Sequence, residues 1–263
     1  MPKNLILIII LLLFCSRLQS EGVPEGSDPA AAGLAADLLD EYVNPPGQAG
    51  ITDPLPVQEI ESPTDDIRTG ALLASLAQDD VEAVIRQIQA GVDVNVDLGS
   101  GATPLMFAES PGMTKALLEL GADVNRKSHD GTSVLHHAVS ADKAEAILPL
   151  LLAAGANVDA VTSRGETPLL MTRYLFIERD DFRKAASIVR MLYRAGASVD
   201  ARDSDGYTVL MSAVVNNRPR LVQFMLALGS DSGVKSVEGK TALEYARTLG
   251  YGDIAEMILH SPY

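Results

Sequence analysis

The chain has 263 residues, a net charge of -14, and a composition that is 47% apolar but only 5% aromatic, with no tryptophan. That length admits one or two ordinary domains or one continuous repeat array. The acidity argues against a nucleic-acid binder, which needs a basic face for phosphates. Eleven acidic side chains and no basic one fall between residues 21 and 67, so the body from residue 68 onward is only mildly acidic.

The first element in chain order is hydrophobic. Lys3 precedes ten apolar residues, Leu5 to Phe14. As a helix this run spans about 15 Å, half of a bilayer core of about 30 Å. With the small residue Ser20 before Glu21, the pattern predicts a secretory signal peptide over residues 1–20. An uncleaved anchor is the alternative. Cys15, the single cysteine, lies inside this segment, so the mature chain is expected to lack any thiol. A lipid on Cys15 is the minor reading, because Leu12-Leu13-Phe14 lacks the small residue that usually precedes a lipidated cysteine. The expected localisation is periplasmic or secreted, with no membrane span after cleavage.

Residues 21–66 read as an acidic, proline-rich leader. Leu34, Leu38 and Tyr42 recur at i, i+4, i+8 and predict a short helix between Pro29 and Tyr42. Pro45, Pro46, Pro54, Pro56 and Pro63, mixed with carboxylates, read as an extended linker.

From residue 67 to 263 the chain repeats. Gly91-Val92-Asp93-Val94-Asn95 returns as Gly121-Ala122-Asp123-Val124-Asn125, Gly155-Ala156-Asn157-Val158-Asp159 and Gly196-Ala197-Ser198-Val199-Asp200, with a degenerate copy at Gly229-Ser230-Asp231. The glycines are 30, 34, 41 and 33 residues apart, a solenoid period. A second landmark recurs after each: Gly101-Ala102-Thr103-Pro104-Leu105, Gly131-Thr132-Ser133-Val134-Leu135, Gly165-Glu166-Thr167-Pro168-Leu169, Gly206-Tyr207-Thr208-Val209-Leu210 and Gly239-Lys240-Thr241-Ala242-Leu243. Thr103, Ser133, Thr167, Thr208 and Thr241 are predicted helix N-caps, and Pro104 and Pro168 suit the first helical position. The glycines of the first landmark end a Leu-rich second helix.

These landmarks resemble the ankyrin repeat, whose hallmarks are Gly-x-Thr-Pro-Leu-His and Gly-Ala-Asp-Val-Asn. The resemblance covers about three quarters of the chain. It implies an all-α solenoid of about six helix-turn-helix repeats with β-hairpin loops, at about 68–96, 97–126, 127–160, 161–201, 202–232 and 233–260. The first and last copies are atypical, as terminal repeats are when one face meets water.

Two repeats depart from the pattern. In repeat two, Ser110-Pro111-Gly112 replaces the end of the first helix, which is predicted to be clipped. Repeat four is eight residues long relative to repeat five, and both its helices are predicted to gain about one turn. The resulting knuckle carries Tyr174, Phe176 and Phe182, either packed on one another or facing a partner.

No His-Glu-x-x-His, Gly-x-Ser-x-Gly or phosphate-cradling loop is present, so no catalytic residue, metal or cofactor is assigned. Asp203-Ser204-Asp205-Gly206 is only faintly like a calcium loop, with Ala201 at the first ligand position, and reads as a turn. The resemblance gives His136 a structural role, tying hairpin backbones together. A zinc pair with His137 is disfavoured because adjacent helical side chains diverge. The resemblance further implies a non-catalytic module that binds a protein through hairpin tips and first helices lining a concave groove. The tip candidates are Ser100, Lys127, His129, Thr162, Arg164, Asp203, Asp205 and Tyr207. Phe107, His137, Arg173 and Asn216 are the candidates on first helices, with Tyr174 and Phe176 on the knuckle. The tips change from basic or neutral around 127 and 164 to acidic around 203 and 205, so a partner of matching charge is expected. Export of such a body is more typical of bacteria, and a monomer that restrains or scaffolds an envelope protein, such as an enzyme, is the expected role. The alternatives are an effector delivered into another cell and an enzyme or ligand-binding protein with the knuckle as a pocket wall.

Overall fold

The computed structural model describes residues 63–177 and 181–261. The signal peptide, Cys15 and the leader helix expected at Pro29 to Tyr42 lie outside the described residues. Within them the chain forms helical pairs and one isolated antiparallel bridge, Lys127 to Ser133. The pairs are α1 (Pro63–Ala77) with α2 (Val81–Gln89), a 3-10 turn (Pro104–Phe107) with α3 (Pro111–Glu119), and α4 (Val134–Ser140) with α5 (Ala144–Ala153). They continue as α6 (Pro168–Ile177) with α7 (Phe182–Arg194), α8 (Val209–Val215) with α9 (Pro219–Ala227), and α10 (Ala242–Thr248) with α11 (Gly252–Leu259).

First helices pack on first helices, from the 3-10 turn through α4, α6 and α8 to α10. The leucine that follows each N-cap points into this layer: Leu105, Leu135, Leu169 and Leu210 are at most 2% exposed. Second helices form the other layer, where Leu117, Leu151, Leu192 and Met225 are fully buried. Small Ala138, Ala213 and Ala246 let the first helices approach. At the last repeat Leu243 is only half-buried.

Helix ends follow the local chemistry. The hydroxyls of Thr167, Thr208 and Thr241 accept the N–H of Leu170, Met211 and Glu244 at 3.2–3.3 Å, satisfying donors the helix leaves free. Two expected caps differ. Thr103 heads a single 3-10 turn and makes no capping bond, and Ser133 is capped through the His136 ring instead. Ser110-Pro111 does not finish the first helix of repeat two but starts α3: Ser110 Oγ accepts from Met113 N at 3.1 Å and donates to Asp79 Oδ1 of repeat one at 2.6 Å. The first helix is clipped as expected, to four residues. Pro63, expected in the linker, begins α1. A proline costs nothing at that position because its missing N–H would have had no helical partner.

Repeat four is lengthened in both helices. The first has 10 residues where α4, α8 and α10 have 7, and the second has 13 where the other second helices have 8 to 10. The extra turns bury their own aromatics. Phe176, Phe182 and Phe224 meet edge-on or tilted with centroids 5.3–6.2 Å apart. Arg220 lies over Phe182 at 4.5 Å and Arg190 over Phe224 at 5.0 Å. Among the described residues no helix is long and apolar enough to cross a membrane.

Candidate functional site

The surface opposite the second helices is built from the hairpins. Each is a tight turn: Gly131 N–H donates to the Ser128 carbonyl and Ser128 N–H to that of Thr132, both at 2.9 Å, and the same pair of bonds recurs around Gly165, Gly206 and Gly239. Neighbouring tips are then joined by one backbone bond each. His129 N–H donates to the Ser100 carbonyl, Ser163 to Asp130, Ser204 to Arg164, and Val237 to Asp205, at 2.7–3.0 Å. The turns stack so closely that a Cβ on Gly131 would lie 2.9 Å from the Val161 carbonyl oxygen. At the hairpin bases a second ladder runs through side chains. Asn95, Asn125, Asp159 and Asp200 accept the N–H of Asp123, Asn157, Ser198 and Asp231, each in the next repeat, at 2.7–3.0 Å. The recurring Asn or Asp at the end of the first landmark is the sequence trace of this ladder.

His136 joins the third repeat to the hairpin of the fourth. Its Nδ1 accepts the Ser133 N–H at 3.1 Å, and its Nε2 lies 3.0 Å from the Glu166 carbonyl oxygen of the next hairpin. That pattern assigns the neutral tautomer with the proton on Nε2. Burial holds its pKa below the usual 6.5.

The candidate residues separate into three groups. Ser100, Phe107, Lys127, His129, His137, Arg164, Tyr174, Asp205 and Asn216 are exposed along the tips and first helices. Thr162 and Tyr207 are half-buried; the Tyr207 ring leans on Tyr245 at 5.4 Å. Phe176 is 3% exposed and belongs to the knuckle core, so it leaves the surface set. Arg173 and Asp203 are turned inward. Arg173 Nη1 donates to Asp203 Oδ2 and Nη2 to Glu166 Oε1, both at 2.9 Å. The Tyr174 hydroxyl also donates to Glu166 Oε1 at 3.1 Å. Asp203 Oδ1 meanwhile accepts the N–H groups of Asp205 and Tyr207. The expected acidic tip therefore shrinks to Asp205, because Asp203 spends its charge on Arg173. Glu166, which sequence reasoning passed over, is the hub: it sits between Gly165 and Thr167 of a landmark and its carboxylate is buried.

The hairpins and first helices of repeats three and four line a cleft of about 220 Å³. His137, Asp130, Thr162, Arg164, Glu166 and Met171 line it. Partial desolvation in the cleft holds the His137 ring below the usual imidazole pKa, although the residue keeps an exposed edge. Asp130 is drawn down to about 2 by the Ser128 hydroxyl, then by the Thr132 hydroxyl and N–H. At neutral pH this rim is therefore anionic at Asp130 and neutral at His137.

Comparison with known proteins follows the same boundaries. A family model described as "Ankyrin repeats (3 copies)" matches residues 71–162, and one described as "Ankyrin repeats (many copies)" matches residues 192–246. Together they cover more than half of the chain. The interval between them holds α6 and most of α7, the lengthened pair. Neurogenic locus notch homolog protein 4 of Homo sapiens is 39% identical over 84 residues, 31% of this chain and 4% of that protein. B-cell lymphoma 3 protein homolog of Mus musculus is 35% identical over 99 residues, 35% of this chain and 21% of that protein. The chain thus matches only a small part of the length of these relatives. Among solved structures, an ankyrin repeat domain from Acinetobacter baumannii is 26% identical with a TM-score of 0.60 or better, 0.61, over 72% of this chain and 96% of that one. A chain from the complex of a predatory endopeptidase of Bdellovibrio bacteriovorus with an immunity protein is 26% identical, TM-score 0.60, over 72% of this chain and 96% of that one.

Proposed function

The chain is a member of the ankyrin-repeat family, and from that premise we propose that it works outside the cytoplasm, gripping a partner protein through its tip-and-first-helix face and restraining or scaffolding it. Ankyrin repeats are protein–protein interaction modules. The observation that carries the reading is the pairing of exposed anchors with a rigid support. Phe107 and Tyr174 are 41% and 37% exposed on first helices, and Val161 and Val237 are 47% and 76% exposed on hairpins. The two valines stand on hairpins tied by the inter-repeat bonds and the two aromatics on packed first helices, so little conformational freedom is lost when a partner arrives. Aromatic anchors on such a surface supply a large share of interface energy.

The location rests on Lys3 and the apolar run from Leu5 to Phe14, which read as an export signal. Restraint of an enzyme draws support from the neighbour found in an endopeptidase–immunity protein complex. In this reading the role is non-catalytic. Fractionation of the producing cell tests the location: the protein is expected in the envelope fraction or the medium, shortened by about 20 residues, a length set by the signal pattern. Full-length protein confined to the cytoplasm would contradict it.

A further inference from the structure

We infer that the cleft between the hairpins of repeats three and four receives an arginine side chain of the partner protein, which takes the place of Arg164 on Glu166. The inference rests on the groove-binding reading above and narrows it to one anchor of stated chemistry. Glu166 is an unusual group to find there. Its side chain is 4% exposed, yet it lines the cleft. One oxygen, Oε1, is held by Arg173 and by the Tyr174 hydroxyl. The other, Oε2, accepts no hydrogen bond. It lies 3.1 Å from the Arg164 guanidinium, which is off line for a hydrogen bond. A buried carboxylate oxygen that accepts no hydrogen bond is under-satisfied, and a well-aligned donor there gains what Arg164 fails to supply.

Arg164 is built to leave. Its side chain is 76% exposed on a hairpin tip and makes no aligned hydrogen bond to Glu166, so water replaces the contact at little cost. Once it swings out, Arg173 stays on Oε1, while the lining keeps the open Oε2 of Glu166 and the ionised Asp130 beside a neutral His137. The size fits one side chain. About 220 Å³ lies below the roughly 300–1,000 Å³ of pockets that hold drug-sized ligands. The slot already meets a guanidinium, whose planar fork of donors suits a carboxylate better than an ammonium does.

The test is a random peptide library displayed on phage and selected on the full chain. Enriched peptides are expected to share an arginine. Replacing that arginine by citrulline, which keeps the shape and removes the charge, should weaken binding about tenfold or more. Arg164→Ala should tighten binding several-fold, because it removes the competing guanidinium; a plain contact residue would move the other way. Glu166→Gln should weaken binding about tenfold. If that variant melts early, the citrulline and Arg164→Ala comparisons decide alone. Enriched peptides with no shared arginine, equal binding of the citrulline form, or weaker binding by Arg164→Ala would overturn the inference and leave groove binding standing. A selection that enriches no peptide at all would overturn both.

Discussion

At the scale of single residues, the structure turns on a few polar groups whose bonds allow one state only. His136 is the clearest case. Its Nδ1 already faces the Ser133 N–H, so a second proton would set donor against donor. The folded pKa is lowered by burial, so the unfolded chain takes up the proton first on acidification. The stability contributed by neutral His136 is therefore whole above about pH 6.5 and is lost as the pH falls through the lower folded value. His136→Ala should cost about 2–4 kcal/mol near pH 7.5, from lost bonds and the cavity left behind. Denaturant titrations at pH 7.5 and 5.5 check this: the gap between wild type and variant should narrow at the lower pH, and a constant or widening gap would refute it. The Glu166 network makes a second residue-scale prediction. Arg173→Met strands two carboxylates whose side chains are 4% and 12% exposed, and should cost about 3 kcal/mol. Arg164→Ala at the same carboxylate should change stability by less than about 0.5 kcal/mol. Equal losses in the two variants, measured by chemical denaturation, would count against the distinction between the buried and the exposed cation.

At the scale of elements, glycine position decides what a repeat tolerates. Gly131 and Gly155 both have φ near +80°, at +81° and +85°. Any side chain there carries the left-handed penalty of about 1–2 kcal/mol. Only Gly131 also meets backbone, at 2.9 Å, whereas Gly155 opens to empty space. Gly131→Ala should thus lower the thermal midpoint clearly more than Gly155→Ala, and similar midpoints would deny that the tips need their close stacking. The knuckle is held from outside its own repeat, by Phe224 of α9. Phe224→Ala should cost about 3 kcal/mol, and hydrogen exchange should rise in α6 and α7 before α10. These elements were legible to different degrees. Spacing between glycines reveals the repeat, and the length of residues 168–194 reveals two longer helices, because both are local and periodic. Whether Phe176 faces out or in depends on a ring in the following repeat, forty-eight positions on at Phe224, which no periodicity encodes. The same holds for Asp203. Its acidic tip is plain in the sequence, and its neutralisation by Arg173, thirty residues earlier, is not. Glu166 occupies the variable position of a landmark, so its pattern marks it as spacer while its neighbours make it the hub.

At the scale of the whole array, the main helix contacts among the described residues lie within a repeat or between neighbouring repeats, so stability is close to a sum of repeats and nearest-neighbour joins. The tip bonds and the Asn/Asp ladder each recur at four successive joins, which sets the exposed anchors in fixed register. That register is what would let the array match a partner at several points at once. The most direct measurement is isolation of the affinity-tagged full chain from the envelope fraction of the producing cell, beside a Phe107→Asp, Val161→Asp variant with an unchanged thermal midpoint. A stoichiometric protein partner held by the wild-type chain and lost from the variant is the predicted result. No stoichiometric partner under mild conditions, or one held equally by both chains, would contradict it.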